Sequence, residues 1–438
     1  MKKKLGLLLG SVLLAGSFLL TGCGSNKKEE APTDTIGAVE TQCQHEETEW
    51  VIYREATCTE DGLRHSECAD CGLRLVTGDV IKAKGHSFAD GACTACGGVL
   101  ISDAAGLRSL ASAVNGGESY EGKWIVLSAD IDLDGEEWTP IGINGNLTFK
   151  GNFDGAGHVV SNFTITSTEV VYAGLFGSFK GGEIRNVGVE NFTIQISDTS
   201  EALFDGLGSA GGLVGYNSGK ITHCYAKGTI SVSRHSSFEV GGLVGESYPA
   251  SAVVEESYAD VDVTTVSTLG ISAGGLVGIS TGAIYNSYAL GDVSVTCNNT
   301  HSVGSFVGGG LAGLGGGETR ISQCYATGNV DVKGGNSSYT CYAGGLIGSA
   351  GDEVLYCFAT GHVSQSGGEN FAVGGLFGRG DSSSTNYRSM AQQISGAKNE
   401  TGEVQTLDVI QTASFVTDTM KWDPKVWNAL DGQYPTLK

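Results

Sequence analysis

Two pairs of cysteines near the N-terminus have the spacing of a metal site. They are Cys68-Ala-Asp-Cys71-Gly72 and Cys93-Thr-Ala-Cys96-Gly97, with 21 residues between the pairs. Thiolates two residues apart, followed by a glycine free to take a left-handed conformation, form a knuckle around a soft cation. Two knuckles would supply a tetrahedral set from Cys68, Cys71, Cys93 and Cys96, which suits zinc. The gap slightly exceeds the roughly 15–20 residues usual between such pairs. Disulfides are the rival use of the same residues in an exported chain, and free thiols are a third. A thioredoxin-type dithiol is disfavoured, because no βαβ pattern surrounds either pair.

Other constellations are weaker. Asp130-Ile-Asp132-Leu-Asp134-Gly135 matches the first half of a calcium loop, but the twelfth position is Ile141 where a bidentate Glu is required. A strand with alternating exposed acids accounts for it. Asp262 and Asp292, near Asn329 and His362, share a repeat position and could bring two carboxylates about 5 Å apart, as in a retaining glycosidase. No Lys/Arg pair accompanies them, and they read as a solvated strand face. There is no Walker loop, no His-Glu-x-x-His and no nucleophile elbow.

The start of the chain decides where this chemistry is placed. Lys2 to Lys4 precede an apolar run, Leu5 to Leu20, broken by Gly6, Gly10, Ser11, Gly16 and Ser17. That run is too short and interrupted for a membrane span, which takes about 20 apolar residues, and it reads as a secretory signal over residues 1–22. Residues 23–42 mix Ser, Lys, Glu, Pro and Thr without periodicity and read as a flexible tether. The formal net charge of −22 excludes the basic footprint of a nucleic-acid binder. Its dispersal points to solubility.

Glycine is abundant (69 of 438 residues) and proline scarce (5), which argues for turn-rich β structure. A block recurs: Gly174-Leu175-Phe176-Gly177 returns around Leu213, Leu243, Leu276, Leu311, Leu346 and Leu376, at spacings of 38, 30, 33, 35, 35 and 30. A second block follows most of these, as in "ITHCYAKGTISV" and "IYNSYALGDVSV". Five residues past its aromatic stand Ile230, Val263, Val293, Val330 and Val363, each flanked by polar residues. That alternation marks strands with one buried face. One such unit cannot bury its apolar face alone, so the units should stack as a β-solenoid with a leucine ladder. Cys224, Ser257, Ser287, Cys324 and Cys357 share one register and read as a small-residue core ladder.

These Gly-Leu-X-Gly blocks resemble the GLUG repeats of bacterial surface proteins, and residues 124–165 resemble the segment that opens such domains. The resemblance implies an all-β, right-handed parallel β-helix of the pectate-lyase kind over residues 101–410. Leu20-Thr21-Gly22-Cys23 resembles a bacterial lipobox, which implies cleavage before Cys23 and acylation of its sulfur. Two acyl chains anchor where one is marginal, at about 0.8 kcal/mol per methylene. Residues 43–100 resemble the Cys-rich modules of secreted bacterial proteins, through "ATCTEDG", "CADCG" and "KGHSF", in a zinc-ribbon-like arrangement. That likeness implies a second ligand set, His45, Cys58, Cys68 and Cys71, with His86 beginning the next module.

Solenoid ends need covers. Ser102 to Asn115 reads as a capping helix, with Ser102 as N-cap, Leu107, Leu110, Ala111 and Val114 on one face, and Gly116 as its end. Residues 411–438 break the repeat and supply Trp422, Trp427 and Tyr434 for a cap at the other end. The expectation is a membrane-tethered, non-catalytic cell-surface protein that acts as an adhesin and takes a glycan or host-surface ligand. The rivals are a polysaccharide-active enzyme on the same β-helix and a spacer displaying the Cys-rich module.

Overall fold

A computed structural model describes residues 44–438, apart from 169, 199–207, 299–303, 335–339, 352, 368–369, 381–384, 397 and 400. The signal segment, Cys23 and the tether lie outside the described residues. The chain divides into two units, one running to Glu55 and including Gly62–Ile81, the other Ala56–Asp61 with Lys82–Lys438. The first is a three-stranded antiparallel sheet, β1 (Thr48–Arg54), β2 (Gly62–Cys68) and β3 (Arg74–Ile81).

The second unit is a parallel β-solenoid. Each turn runs through two short strands that meet at the Gly-Leu block, a three-residue strand and a longer one. Like strands stack into eight-, seven-, eleven- and fourteen-stranded sheets. The eleven-stranded sheet is the flank sheet. Tyr258–Ser267, in the fourteen-stranded sheet, shows the alternation the sequence requires: Ala259, Val261, Val263, Thr265 and Ser267 are buried between more exposed neighbours. Ile230, Val263, Val293, Val330 and Val363 pair in register and are all buried.

All seven leucines of the Gly-Leu blocks are fully buried. Their backbones also form a ladder: Leu243 N–H donates to Leu276 O at 2.9 Å, and Leu276 N–H to Leu311 O at 2.8 Å. Each leucine contributes about 1.5–3 kcal/mol on burial. The glycine before it is needed for close approach, since a Cβ on Gly275 would collide with the carbonyl oxygen of Gly310 on the next turn.

Cys224, Ser257, Ser287, Cys324 and Cys357 form the expected buried ladder, and it also has a polar role. Each side chain donates to the carbonyl two residues earlier; Ser257 Oγ to Glu255 O, for example, is 2.7 Å. This pins a tight corner whose preceding residues, His223, Glu256, Asn286, Gln323 and Tyr356, all have φ between 46° and 55°. Such a conformation is strained in anything but glycine or asparagine.

Two expectations about the ends need correction. The N-terminal helix, α1 (Ala104–Asn115), buries the expected four residues, but its N-cap is Asp103, whose carboxylate accepts from Gly106 N–H at 2.8 Å. The strand Val99–Ile101 ends directly before Ser102, which leaves Ser102 in the connection. The C-terminal segment lies along the flank of the stack. Tyr225, Tyr258, Tyr288, Tyr325 and Phe358 stack outside the main core with ring centroids 4.8–5.0 Å apart. Phe415, Trp422, Trp427 and Tyr434 cover the last three of these rings.

Candidate metal centre and surface clusters

The two Cys-x-x-Cys-Gly turns fold alike. Cys68 N–H donates to Leu73 O and Gly72 N–H to Cys68 O, both at 2.9 Å; Cys93 N–H donates to Gly98 O and Gly97 N–H to Cys93 O, both at 2.8 Å. Gly72 and Gly97 take φ of 70° and 68°, the left-handed conformation that glycine adopts without strain.

Each turn lies in its own cluster of metal-type donors. Cys93 and Cys96 group with Cys58 and His86, while Cys68 and Cys71 group with His45, and the donor atoms within each group lie within 4.8 Å of one another. Within each unit the cysteines of the expected set, Cys68 and Cys71 or Cys93 and Cys96, thus have a histidine of their own beside them. The implied set of His45, Cys58, Cys68 and Cys71 keeps all but Cys58. The reason is local: Ala56–Asp61 packs with the segment after Lys82, as in Lys84 N–H to Thr57 O at 2.9 Å, so Cys58 serves the second turn.

The spacings fit zinc. Tetrahedral zinc with Zn–S of about 2.3 Å and Zn–N of about 2.05 Å holds two sulfurs about 3.8 Å apart and a sulfur and nitrogen about 3.5 Å apart. Cys58 Sγ to Cys93 Sγ is 3.8 Å, Cys96 Sγ to His86 Nδ1 is 3.4 Å, and Cys71 Sγ to His45 Nδ1 is 3.5 Å. A disulfide needs about 2.05 Å. Backbone N–H groups of Cys96 and Ala95 aim at the Cys93 sulfur and hold its thiol down to about 5. Burial pushes Cys58 the other way.

The remaining candidates are structural. Asp132 accepts from Asp134 N–H and the Asn162 amide, and Asp130 from Val159 N–H, so hydrogen bonds within the strand region absorb the half calcium motif. Asp262, Asp292, Asn329 and His362 are more than a solvated face. Asp262 Oδ1 accepts from Asp292 N–H at 3.0 Å, Asp292 Oδ1 from Asn329 N–H at 2.7 Å, and Asn329 Oδ1 from His362 N–H at 3.0 Å. On the later turns the strand is interrupted just before this position, as between Tyr288–Ala289 and Val293–Cys297. Each side chain supplies the acceptor for the following turn.

One cluster was missed in the sequence. Tyr172 and Tyr216, on adjacent turns, have ring centroids 5.4 Å apart, and Glu246 pairs in register with Tyr216. The hydroxyls of both tyrosines are raised by burial first and then by Glu246, with Glu239 also acting on Tyr172 and Tyr248 on Tyr216. Among the described residues neither glutamate has an ion-pair partner. Burial, then the charge of Glu246, lifts Glu239 to about 7. An acid raised in this way holds a proton in the folded state that the unfolded chain has released. It therefore costs stability progressively as pH climbs from about 4.5 to about 7. Glu239→Gln should leave the melting temperature near pH 4 unchanged and raise it above pH 7. Paired thermal melts across that range check this.

These features define a class: a parallel β-solenoid of Gly-Leu-X-Gly repeats in a chain that also carries Cys/His metal-type clusters. The GLUG motif model matches residues 206–231, one of the seven turns traced by the leucines. The chain is 32% identical over 243 residues to Halomucin of Haloquadratum walsbyi, covering 52% of this chain and 2% of that protein. It is 34% identical over 110 residues to a candidate Gly-rich membrane protein of Evansella cellulosilytica, covering 24% of this chain and 12% of that one. It thus spans a small fraction of both relatives. Among solved structures, a candidate immunoglobulin A1 protease from Bacteroides ovatus aligns with TM-score 0.48 and 20% identity, over 78% of this chain and 92% of that one. An IgA1 protease aligns with TM-score 0.48 and 16% identity, over 86% and 28%. Among the described residues no helix is long and apolar enough to cross a membrane.

Proposed function

We propose that this chain is exported, acylated at Cys23 and held at the cell surface, where the solenoid binds a glycan as an adhesin. Zinc in the Cys/His clusters is structural in this reading. The observation that carries the glycan assignment is the Tyr172, Tyr216, Glu239 and Glu246 cluster. Aromatic rings offer faces to the C–H side of a sugar, and carboxylates without cationic partners accept its hydroxyl hydrogens. Half-buried carboxylates without a cationic partner are costly to keep for the fold alone, which supports a binding surface. A glycan array with the mature chain tests it. Retention of a defined glycan by the wild type and its loss, by tenfold or more, in Tyr216→Ala is the expected result. An array on which the two proteins behave alike would remove the cluster from the reading.

A second reading draws on Glu239, which keeps a proton near neutral pH as a general acid must. Release of reducing ends from the bound glycan, abolished in Glu239→Gln, would select the polysaccharide-active enzyme.

A further inference from the structure

The solenoid has two exposed problems at its N-terminal end, and α1 solves only one. Leu107, Leu110, Ala111 and Val114 of α1 join the main core and cover its apolar end. They do nothing for the flank sheet, whose first solenoid strands are β6 (Val99–Ile101) and β7 (Trp124–Leu127), paired in parallel. Left alone, β6 would present unpaired N–H and C=O groups, a template for another chain.

That edge is taken by the cysteine turn. Strands β4 (Phe88–Ala89) and β5 (Ala92–Cys93) form an antiparallel hairpin, and β5 lies antiparallel against β6. Leu100 N–H donates to Gly91 O at 3.0 Å, and Gly98 O accepts from Cys93 N–H at 2.8 Å. The outermost strand of the sheet is then only two residues long, a blunt edge. The hairpin has almost no core of its own. From His86 to Gly97 only Cys93 is buried. What converges on it is the donor set of Cys58, His86, Cys93 and Cys96, drawn from three separated stretches of chain.

We propose that a tetrahedral, thiophilic divalent cation at Cys58, His86, Cys93 and Cys96 is the edge closure of the flank sheet. With the metal bound, the hairpin stays on β6. Without it, the hairpin leaves and β6 becomes an open edge that pairs with the same edge of a second copy. The inference rests on the zinc reading and goes beyond it by giving the metal a job in the solenoid. The second cluster, His45, Cys68 and Cys71, belongs to the other unit and has no part in the closure.

The test uses the whole mature chain, kept soluble by Cys23→Ser and reduced throughout, with zinc as the probe. Native mass spectrometry counts bound zinc. Hydrogen exchange and sedimentation velocity then compare the loaded and chelated protein. Chelation should raise exchange at the β6 amides at least tenfold and convert monomer to dimer or larger species, and added zinc should reverse both. Cys96→Ser should mimic chelation, whereas Cys71→Ser should leave β6 protected. The amides of Leu243, Leu276 and Leu311 should stay protected throughout. Zinc bound, but with β6 exchange and sedimentation unchanged on removal, overturns the closure and leaves the zinc reading standing. A protein that binds no zinc overturns both. Loss of the central leucine protection on chelation also overturns it, because the metal would then be holding the whole fold.

Discussion

Val293→Asp is expected to abolish the cooperative melt of the solenoid, while Asp292→Ala, one residue away, leaves it folded. Val293 is 1% exposed and in register with Val263 and Val330, so an aspartate there would face the main core with no cation. Burying an unpaired carboxylate costs far more than a cavity and rivals the whole folding margin of about 5–15 kcal/mol. Asp292 is exposed, but its carboxylate accepts from both the backbone N–H and the side-chain amide of Asn329, at 2.7 and 3.1 Å. Its loss should therefore cost about 0.5–1.5 kcal/mol, and Asp292→Asn should restore part of that. Leu276→Ala belongs in the same series. It empties a fully buried position in the leucine ladder and should cost about 2–5 kcal/mol. Denaturant melts rank the set as Val293→Asp, Leu276→Ala, Asp292→Ala. A reversed ranking at 292 and 293 would mean that the strand faces the other way, since a one-residue slip exchanges its two faces, and equal tolerance would mean that neither face is buried as described.

The face of each strand was legible because burial imposes a period of two, and a period can be read from residue types alone. The leucine and Ile/Val ladders were legible for a further reason: the same chemistry returns at each turn. What was not legible obeys no such rule. The corner at His223, Glu256, Asn286, Gln323 and Tyr356 takes a left-handed backbone in five different residue types, four of them neither Gly nor Asn, so no residue preference signals it. The Asp262, Asp292, Asn329 and His362 series carried a usable sign, an acceptor repeated at one register, but its partner is backbone and leaves no trace in composition. The division of the cysteines was hidden because sequence spacing ranks Cys68 and Cys71 beside Cys93 and Cys96. The fold instead assigns each turn its own histidine, and Cys58 to the second. Tyr172, Tyr216, Glu239 and Glu246 come from three different turns and meet only after stacking.

Trp427→Ala should detach the C-terminal segment and loosen the turns beneath it, without disturbing those nearer the N-terminus. The ring is 2% exposed, packs with its centroid 4.4 Å from that of Trp422 and sits about 6.1 Å from both Tyr288 and Tyr325. Removing a side chain this large from a packed site costs about 3–5 kcal/mol. The segment reaches several turns at once: Trp427 Nε1–H donates to Asn286, Gln323 Nε2–H to Lys421 O, Trp422 Nε1–H to Tyr356 O, and Tyr325 OH to Pro435 O. A solenoid is stabilised chiefly between neighbouring turns. A strap bonded to three successive turns adds coupling that nearest-neighbour stacking does not supply, so those turns should open together. In Trp427→Ala, hydrogen exchange should rise by a similar factor at Tyr288, Tyr325 and Phe358, while Leu213 and Leu243 keep wild-type protection. Proteolysis should also cut within residues 411–438 before any turn is lost. Unequal exchange at these three amides, or protection lost equally at Leu213, would mean that the segment does not act as a strap.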